Sequence, residues 1–251
     1  DGEGLSLSLQ GEAAGPLRRL QLELGGKDPA YVCVDANPLQ AAEALADGAF
    51  YNAGQSCCAI ERIYVHEAVA DAFEARFVEV VRDFHVGDPK SEDTYIGPLA
   101  RDAQRAVLEA QVEDALAQGA CLELGGKRMK REGFYFQPTV LTKVNHRMQV
   151  MREESFGPVI GIKRVSGDDE AISLMNDTRY GLTASVFSSE QGHAESLLGQ
   201  VNAGTAYWNC CDRVSPRLPW TGRKDSGLGA TLGRLGIAAF LRPKAYHLRT
   251  P

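Results

Sequence analysis

The 251-residue chain lacks any apolar run approaching the roughly 20 residues needed to span a bilayer. Its opening, DGEGLSLSLQ, is acidic and lacks the basic-then-apolar order of a secretory signal, so a soluble, cytoplasmic protein is expected, with no membrane partner. Cysteine is scarce: six residues, four of them in the adjacent pairs Cys57-Cys58 and Cys210-Cys211, are too few for a disulfide scaffold and read as reduced thiols. No block of one charge occurs. The 33 acidic and 27 basic residues are spread along the chain and give a net charge of -6, which disfavours nucleic acid as a partner. The five histidines are scattered, none at zinc-site spacing from Cys210-Cys211 and none in a Cys-His hydrolase pattern, so no metal ligand is assigned. An initiator methionine is lacking too, which suggests a native chain that continues upstream of Asp1.

What the chain does have is an ordinary globular composition, 44% hydrophobic, in a length that suits one large unit or two small ones. Runs rich in β-branched residues alternate with stretches of helical period: PAYVCV, then residues 39–53, then ERIYVH, then residues 67–84. Residues 103–118 read as a helix stopped at Gly119 and followed by the short run CLEL. Further on, 170–175 and 194–198 read as helices, and 184–187 and 204–207 as strands. The fold expected is α/β, a largely parallel open sheet with helices on both faces. Irregular stretches at 87–98, 125–133 and 209–229 are loops that could carry function.

Two features carry chemistry. The segment NAGQSCCAIER sets Cys57 in a turn between a predicted helix and a predicted strand, where backbone amides can lower a thiol pKa and hydrogen-bond an oxyanion. From the residues alone, the commoner fate of such cysteines is burial as small apolar side chains. The segment LELGGK occurs twice, at 22–27 and 122–127, so Glu23 and Glu123 have equal chemical credentials as a general base. GLGATLG, at 227–233, departs from GxGxxG spacing, follows no strand, and is rejected as a dinucleotide loop.

NAGQSCCAIER resembles the active-site loop of the aldehyde dehydrogenase superfamily, whose Gly-Gln-x-Cys pattern falls on Cys57 rather than Cys58. LQLELGGKDPAYV resembles that family's glutamate motif, 34 residues before the cysteine, and selects Glu23 over Glu123. REESFGPVIGI resembles its Glu-x-Phe-Gly-Pro motif, and NCCDRVSPRLPWTGRKDSGLG its substrate-side loop and Lys-x-Ser-Gly segment. The resemblance runs from about Leu20 to the C-terminus and covers the C-terminal half of a typical member.

The resemblance implies NAD(P)-dependent oxidation of a small-molecule aldehyde to a carboxylic acid. Cys57 would be the nucleophile that forms a thiohemiacetal and then a thioester, and Glu23 the base that activates the hydrolytic water. Glu154 would accept from the nicotinamide ribose, Phe156 would pack against NAD or NADP, Leu24 and Gly25 would bring backbone to the cofactor, and Gln104 would add a contact. Trp220 would wall the aldehyde tunnel, with Asn209 and Asp212 at its border, although Trp220 is equally well read as a core residue. Three regions are expected: 1–22, the remnant of an upstream cofactor-binding domain; 23–238, the catalytic domain; and 239–251, an oligomerisation arm whose RPKAYHLR supplies a strand to a neighbour in a dimer or tetramer. Without the cofactor-binding half, the isolated chain is expected to be inactive on aldehydes. The competing readings are an inactive relative kept as a scaffold and a cofactor-independent cysteine hydrolase.

Overall fold

A strand buried on both faces shows no alternation of apolar and polar residues, because neither face meets water. Asp28–Val32 (β2) and Ile60–His66 (β3) are of that kind, buried almost throughout. In the computed structural model, which describes residues 20–211 and 214–251, they form the centre of a seven-stranded sheet. The other strands are Cys121–Leu124 (β4), Thr139–Thr142 (β5), Val159–Val165 (β6), Thr183–Phe187 (β7) and Thr205–Trp208 (β8), and the order is β4-β5-β6-β3-β2-β7-β8. Every neighbouring pair is parallel except β4 and β5, so the expected largely parallel sheet is present. Leu22–Glu23 (β1) and Gly227–Leu228 (β9) form a separate antiparallel ribbon.

Helices cover both faces. Pro38–Phe50 (α1) begins at Asn37, whose side chain accepts from the N–H groups of Leu39 and Gln40. With Glu67–Asp83 (α2) it buries Leu45, Phe50, Phe73 and Phe77 against Ala30, Val32, Ile63 and Ile162 on one face. The other face is covered by Asp102–Ala117 (α3), Gln149–Arg152 (α4), Asp168–Asn176 (α5) and Gln191–Leu198 (α6), which bury Leu108, Met151, Met175 and Leu197 with Tyr31, Tyr64, Ala184 and Val186. Side chains of successive strand residues point to opposite faces, which is why Tyr31 joins one core and Ala30 and Val32 the other. A last short helix is Gly233–Ala238 (α7).

The strands and helices read from the sequence are all present, within a few residues at their ends. Four strands were not read: β1 and β9, of two residues each, and within the seven-stranded sheet β5 and β6, apolar runs hydrogen-bonded on two sides that present no period to detect. RPKAYHLR is expected to pair with a neighbouring chain. Residues 242–249 form no strand in the single chain and lie exposed, since an extended segment needs a partner ladder to become one.

Candidate functional site

The loops that enter β2, β3 and β6 converge at the amino ends of these strands. The loop before β3 turns through three consecutive left-handed residues, Asn52, Ala53 and Gly54, with φ of 49°, 56° and 69°. A Cβ on Gly54 would lie 2.4 Å from the carbonyl oxygen of Gly157. Glycine at this point lets the cysteine turn lie backbone to backbone on the ESFGP segment. The turn leaves Cys57 half-buried, while Cys58 is 3% exposed in the core beneath. None of the six cysteines is in a disulfide.

A cleft of about 510 Å³ opens here, and its lining brings together Glu23, Leu24, Gly25, Cys57, Glu154 and Phe156 from three separate motifs. A neighbouring cleft of about 450 Å³ contains Gln104 and shares Glu154, Phe156 and Arg101 with the first. Glu23 sits in the β1–β9 ribbon, tied by Leu24 N donating to Ser226 O at 3.0 Å, and its Oε1 accepts from Thr231 Oγ1 at 2.5 Å. Glu123 lies exposed on the antiparallel edge strand β4 and accepts from Thr142, so the structure separates the two LELGGK glutamates as the resemblance does.

Glu154 is held from beneath. Its Oε1 accepts from Gly26 N at 2.9 Å, and a Cβ on Gly25 would come within 2.4 Å of that same oxygen. Burial raises the Glu154 pKa, and the Gly26 amide partly offsets this. Phe156 follows in a left-handed conformation, φ 46°, with its N–H donating to Glu61 Oε1 at 2.9 Å. Glu61 Oε2 takes Ser155 N at 2.8 Å and Lys27 Nζ at 2.7 Å. Gln111 adds a donor to Glu154 O at 3.2 Å and an acceptor to Ser155 Oγ at 2.8 Å, and Gln104 donates to Ser155 O at 2.5 Å. The Glu154–Phe156 loop is thus fixed by a fully buried ion pair under it. Burial lowers the Lys27 pKa against the opposing pull of Glu61.

Asp28, one residue on, is buried with its Oδ2 accepting from Thr183 Oγ1 at 2.6 Å. Burial pushes its carboxyl well above the usual range, with the nearby Glu61 and Cys57 acting in the same direction. Burial also pushes the Tyr180 phenol, which lines the cleft, up to about 12. The sequence reading missed Lys27, Glu61, Gln111, Arg101, Arg179 and Tyr180. A usable signal existed for one of them: Glu61 and Arg62 are adjacent charges inside the otherwise apolar run AIERIYV, and a charge in a buried strand requires a partner.

Three substrate-side expectations fare differently. Trp220 comes beside the thiol loop, but it is 6% exposed in a small core with Cys58 and Leu182, against which Cys57 packs, and it does not line the cleft. Its backbone exchanges hydrogen bonds with Thr231, the residue that holds Glu23. Asn209 is corrected: it lies past the carboxyl end of β8, exchanging hydrogen bonds with Ser188 after β7, at the opposite end of the strands from Cys57. The chain must first run back along the sheet to Thr221, whose carbonyl abuts Gly204 before β8, to reach the cleft side. Asp212 lies outside the described residues. Cys210-Cys211 keeps its structural reading, with Cys211 buried against α1 and donating to Ala44 O.

Comparison with known proteins identifies the family. The model of the aldehyde dehydrogenase family matches residues 7–246. An aldehyde dehydrogenase of Paenarthrobacter nicotinovorans is 40% identical over 234 residues, 93% of this chain and 51% of its own length. The succinate semialdehyde dehydrogenase [NAD(P)+] of Escherichia coli is 38% identical over 237 residues, 94% of this chain and 51% of its own. A crystal structure of an NAD-dependent aldehyde dehydrogenase from Sinorhizobium meliloti superposes with a TM-score of 0.91 at 38% identity, covering 95% of this chain and 47% of that one. The chain spans about half the length of the curated relatives it matches. No helix among the described residues is long and apolar enough to cross a membrane.

Proposed function

Because this chain belongs to the aldehyde dehydrogenase family, we propose that it supplies the thiol and carboxylate of an NAD(P)-dependent oxidation of an aldehyde to a carboxylic acid. The observation that carries this reading is the meeting of Cys57, Glu23 and Glu154, from three distant stretches of sequence, around one cleft. Cys57, as thiolate, adds to the aldehyde carbon to give a thiohemiacetal. A bound NAD or NADP supplies the hydride acceptor that oxidises this adduct. The Cys57 sulfur then holds the acyl group as a thioester. Glu23 takes a proton from water as the water oxygen attacks the acyl carbon, and the C–S bond breaks to release the acid and regenerate the thiol.

The residues present fit the nicotinamide end of such a cofactor. Glycine at position 25 leaves backbone flush against Glu154, and this carboxylate borders both clefts, where it can accept from two ribose hydroxyls. Phe156, Leu24 and Gln104 complete the wall, and Trp220, Asn209 and Asp212 are not used in this reading. We assign the protein to the cytoplasm, as a homo-oligomer. The assembly is supported by the exposure of Ile237, Phe240 and Leu248, at 69%, 90% and 85%, on α7 and the segment after it. The 251-residue chain alone is expected to make no reduced nicotinamide, because about half the length of its relatives is not in it.

Nitrophenyl acetate tests the sulfur chemistry without the cofactor. The chain should release a stoichiometric burst of nitrophenol followed by slow turnover. Cys57→Ala should remove both phases, and Glu23→Gln should keep the burst and slow the turnover. A burst that survives Cys57→Ala refutes the assigned nucleophile, and turnover indifferent to Glu23→Gln refutes the base. Absence of any burst in the unaltered chain would favour a scaffold.

A further inference from the structure

The cleft lies at the amino ends of the strands, yet an open α/β sheet offers its natural crevice at the carboxyl ends, where the connections of adjacent strands part to opposite faces. Here that point falls between β2 and β7. From β2 the chain passes through α1 to β3 on one face, and from β7 it passes through α6 to β8 on the other. Cys33, Asp35 and His193 meet beyond these strand ends, with one potential ligand atom from each lying within 4.8 Å of the others. The chemistry at Cys57 makes no use of them.

Each of the three side chains is set by its neighbours. Cys33 directly follows β2, is fully buried, and donates its N–H to Phe187 O at the end of β7 at 2.9 Å. Asp35 Oδ2 accepts from Ser188 Oγ at 2.7 Å, Ser189 N at 3.0 Å and Ser189 Oγ at 2.8 Å, which pins the carboxylate in one orientation. Its other oxygen, Oδ1, is buried without a partner. Leaving a buried carboxylate oxygen unpaired is costly, and the rarity of such atoms makes this one an indication of a ligand. His193 Nε2 lies 2.7 Å from Asp168 Oδ2, and Asp168 Oδ1 accepts from Tyr31 Oη at 2.8 Å. With the Nε2 proton donated to Asp168, the lone pair of the imidazole is at Nδ1, 3.5 Å from Ser188 Oγ, whose proton is given to Asp35 Oδ2 at 2.7 Å. A carboxylate that fixes the far nitrogen in this way is the usual support of a histidine that binds a metal through the other.

We infer that Cys33 Sγ, Asp35 Oδ1 and His193 Nδ1 form a binding site for a divalent transition ion of the zinc type, distinct from the catalytic cleft. Thiolate, carboxylate and imidazole together are the donor set that suits this ion, and three protein ligands leave the fourth tetrahedral position to water. Charge balance agrees. Asp35, Asp168 and an ionised Cys33 place three negative charges in one crevice, which a dication offsets. The incoming metal displaces the Sγ proton to solvent as the sulfur–metal bond forms.

Cobalt(II) is the probe, because a thiolate ligand gives it a charge-transfer absorption. The 251-residue chain, stripped with chelator, should take up one Co²⁺ with this band, and Zn²⁺ should displace it. Cys33→Ser should abolish the band. Asp35→Asn and His193→Gln should weaken Co²⁺ binding at least tenfold, and Asp168→Asn about 10–100-fold through the orientation of His193. Cys57→Ser and Cys210→Ser should leave the band intact. Asp35→Asn preserves side-chain shape, so an unchanged far-ultraviolet circular dichroism spectrum shows that its loss of binding is not unfolding. No Co²⁺ uptake by the unaltered chain, a band that survives Cys33→Ser, or equal affinity in Asp35→Asn and His193→Gln would overturn the site.

Discussion

Removing the charge of Glu61 tests whether the ion pair under the Glu154–Phe156 loop has the energetic role that its geometry implies. Its carboxylate is the counter-ion of Lys27 and the acceptor for the amides of Ser155 and Phe156, with side-chain exposures of 0% for Lys27 and 6% for Glu61. Glu61→Gln leaves a buried ammonium beside a neutral amide and turns an NH₂ toward one of three donors. Breaking a buried pair on one side costs about 3–5 kcal/mol, a large share of the roughly 5–15 kcal/mol that stabilises a typical domain. Lys27→Met/Glu61→Gln removes the orphaned charge as well, so the double variant should be more stable than Glu61→Gln alone, with a coupling of about 1–3 kcal/mol. Urea unfolding of the four proteins gives the cycle, provided the slope with denaturant stays constant. Hydrogen exchange at the Ser155 and Phe156 amides should accelerate in Glu61→Gln. If Lys27→Met costs the same in both backgrounds, the pair does not hold the loop and the reasoning fails.

Thr231→Val removes the hydrogen bond to Glu23 and should slow nitrophenyl acetate turnover about fivefold, equivalent to about 1 kcal/mol, with the burst intact; a smaller burst would mean that the cysteine, not the base, was disturbed. Trp220→Ala should lower stability by about 3–5 kcal/mol in urea unfolding, because the side chain is buried, whereas a tunnel-lining tryptophan would cost little. Glu154→Gln should stabilise the chain near neutral pH. Burial raises the folded-state pKa of Glu154, so its contribution to stability is present below the ordinary value of 4.5 and is lost as pH rises through the folded value. The gain from glutamine, which still accepts from Gly26, should appear above that window and vanish below it in thermal unfolding scanned with pH; the opposite trend would show that Glu154 is stabilised as an anion.

Cys57 and Glu23 could be singled out because each stands in a motif, and the positions of those motifs along the chain did what residue type alone could not, choosing Glu23 over Glu123 and Cys57 over Cys58; the fold brings the two chosen residues to one cleft. β2, β3, β4, β7 and β8 were legible as runs of their own. β6 was not, because it pairs on both sides and its first four residues, VIGI, are buried on both faces, leaving no alternation to read. The Lys27–Glu61 pair was hidden for another reason: its members are 34 residues apart and only the fold joins them. The resemblance carried Asn209 and Trp220 together as one substrate-side loop, while the strand end and the returning loop put the length of the sheet between them.

The bond between Glu23 and Thr231 closes a separation of 208 residues, and the ribbon that carries Glu23 is completed only by Gly227 and Leu228. During synthesis, when chains emerge amino end first, the sheet through Trp208 can assemble before that ribbon has left the ribosome. The Cys57 loop therefore takes its place ahead of the contacts that hold Glu23. Until residues 227–231 have emerged, Glu23 has neither its ribbon nor its hydroxyl partner, so the carboxylate is the later of the two groups to be fixed.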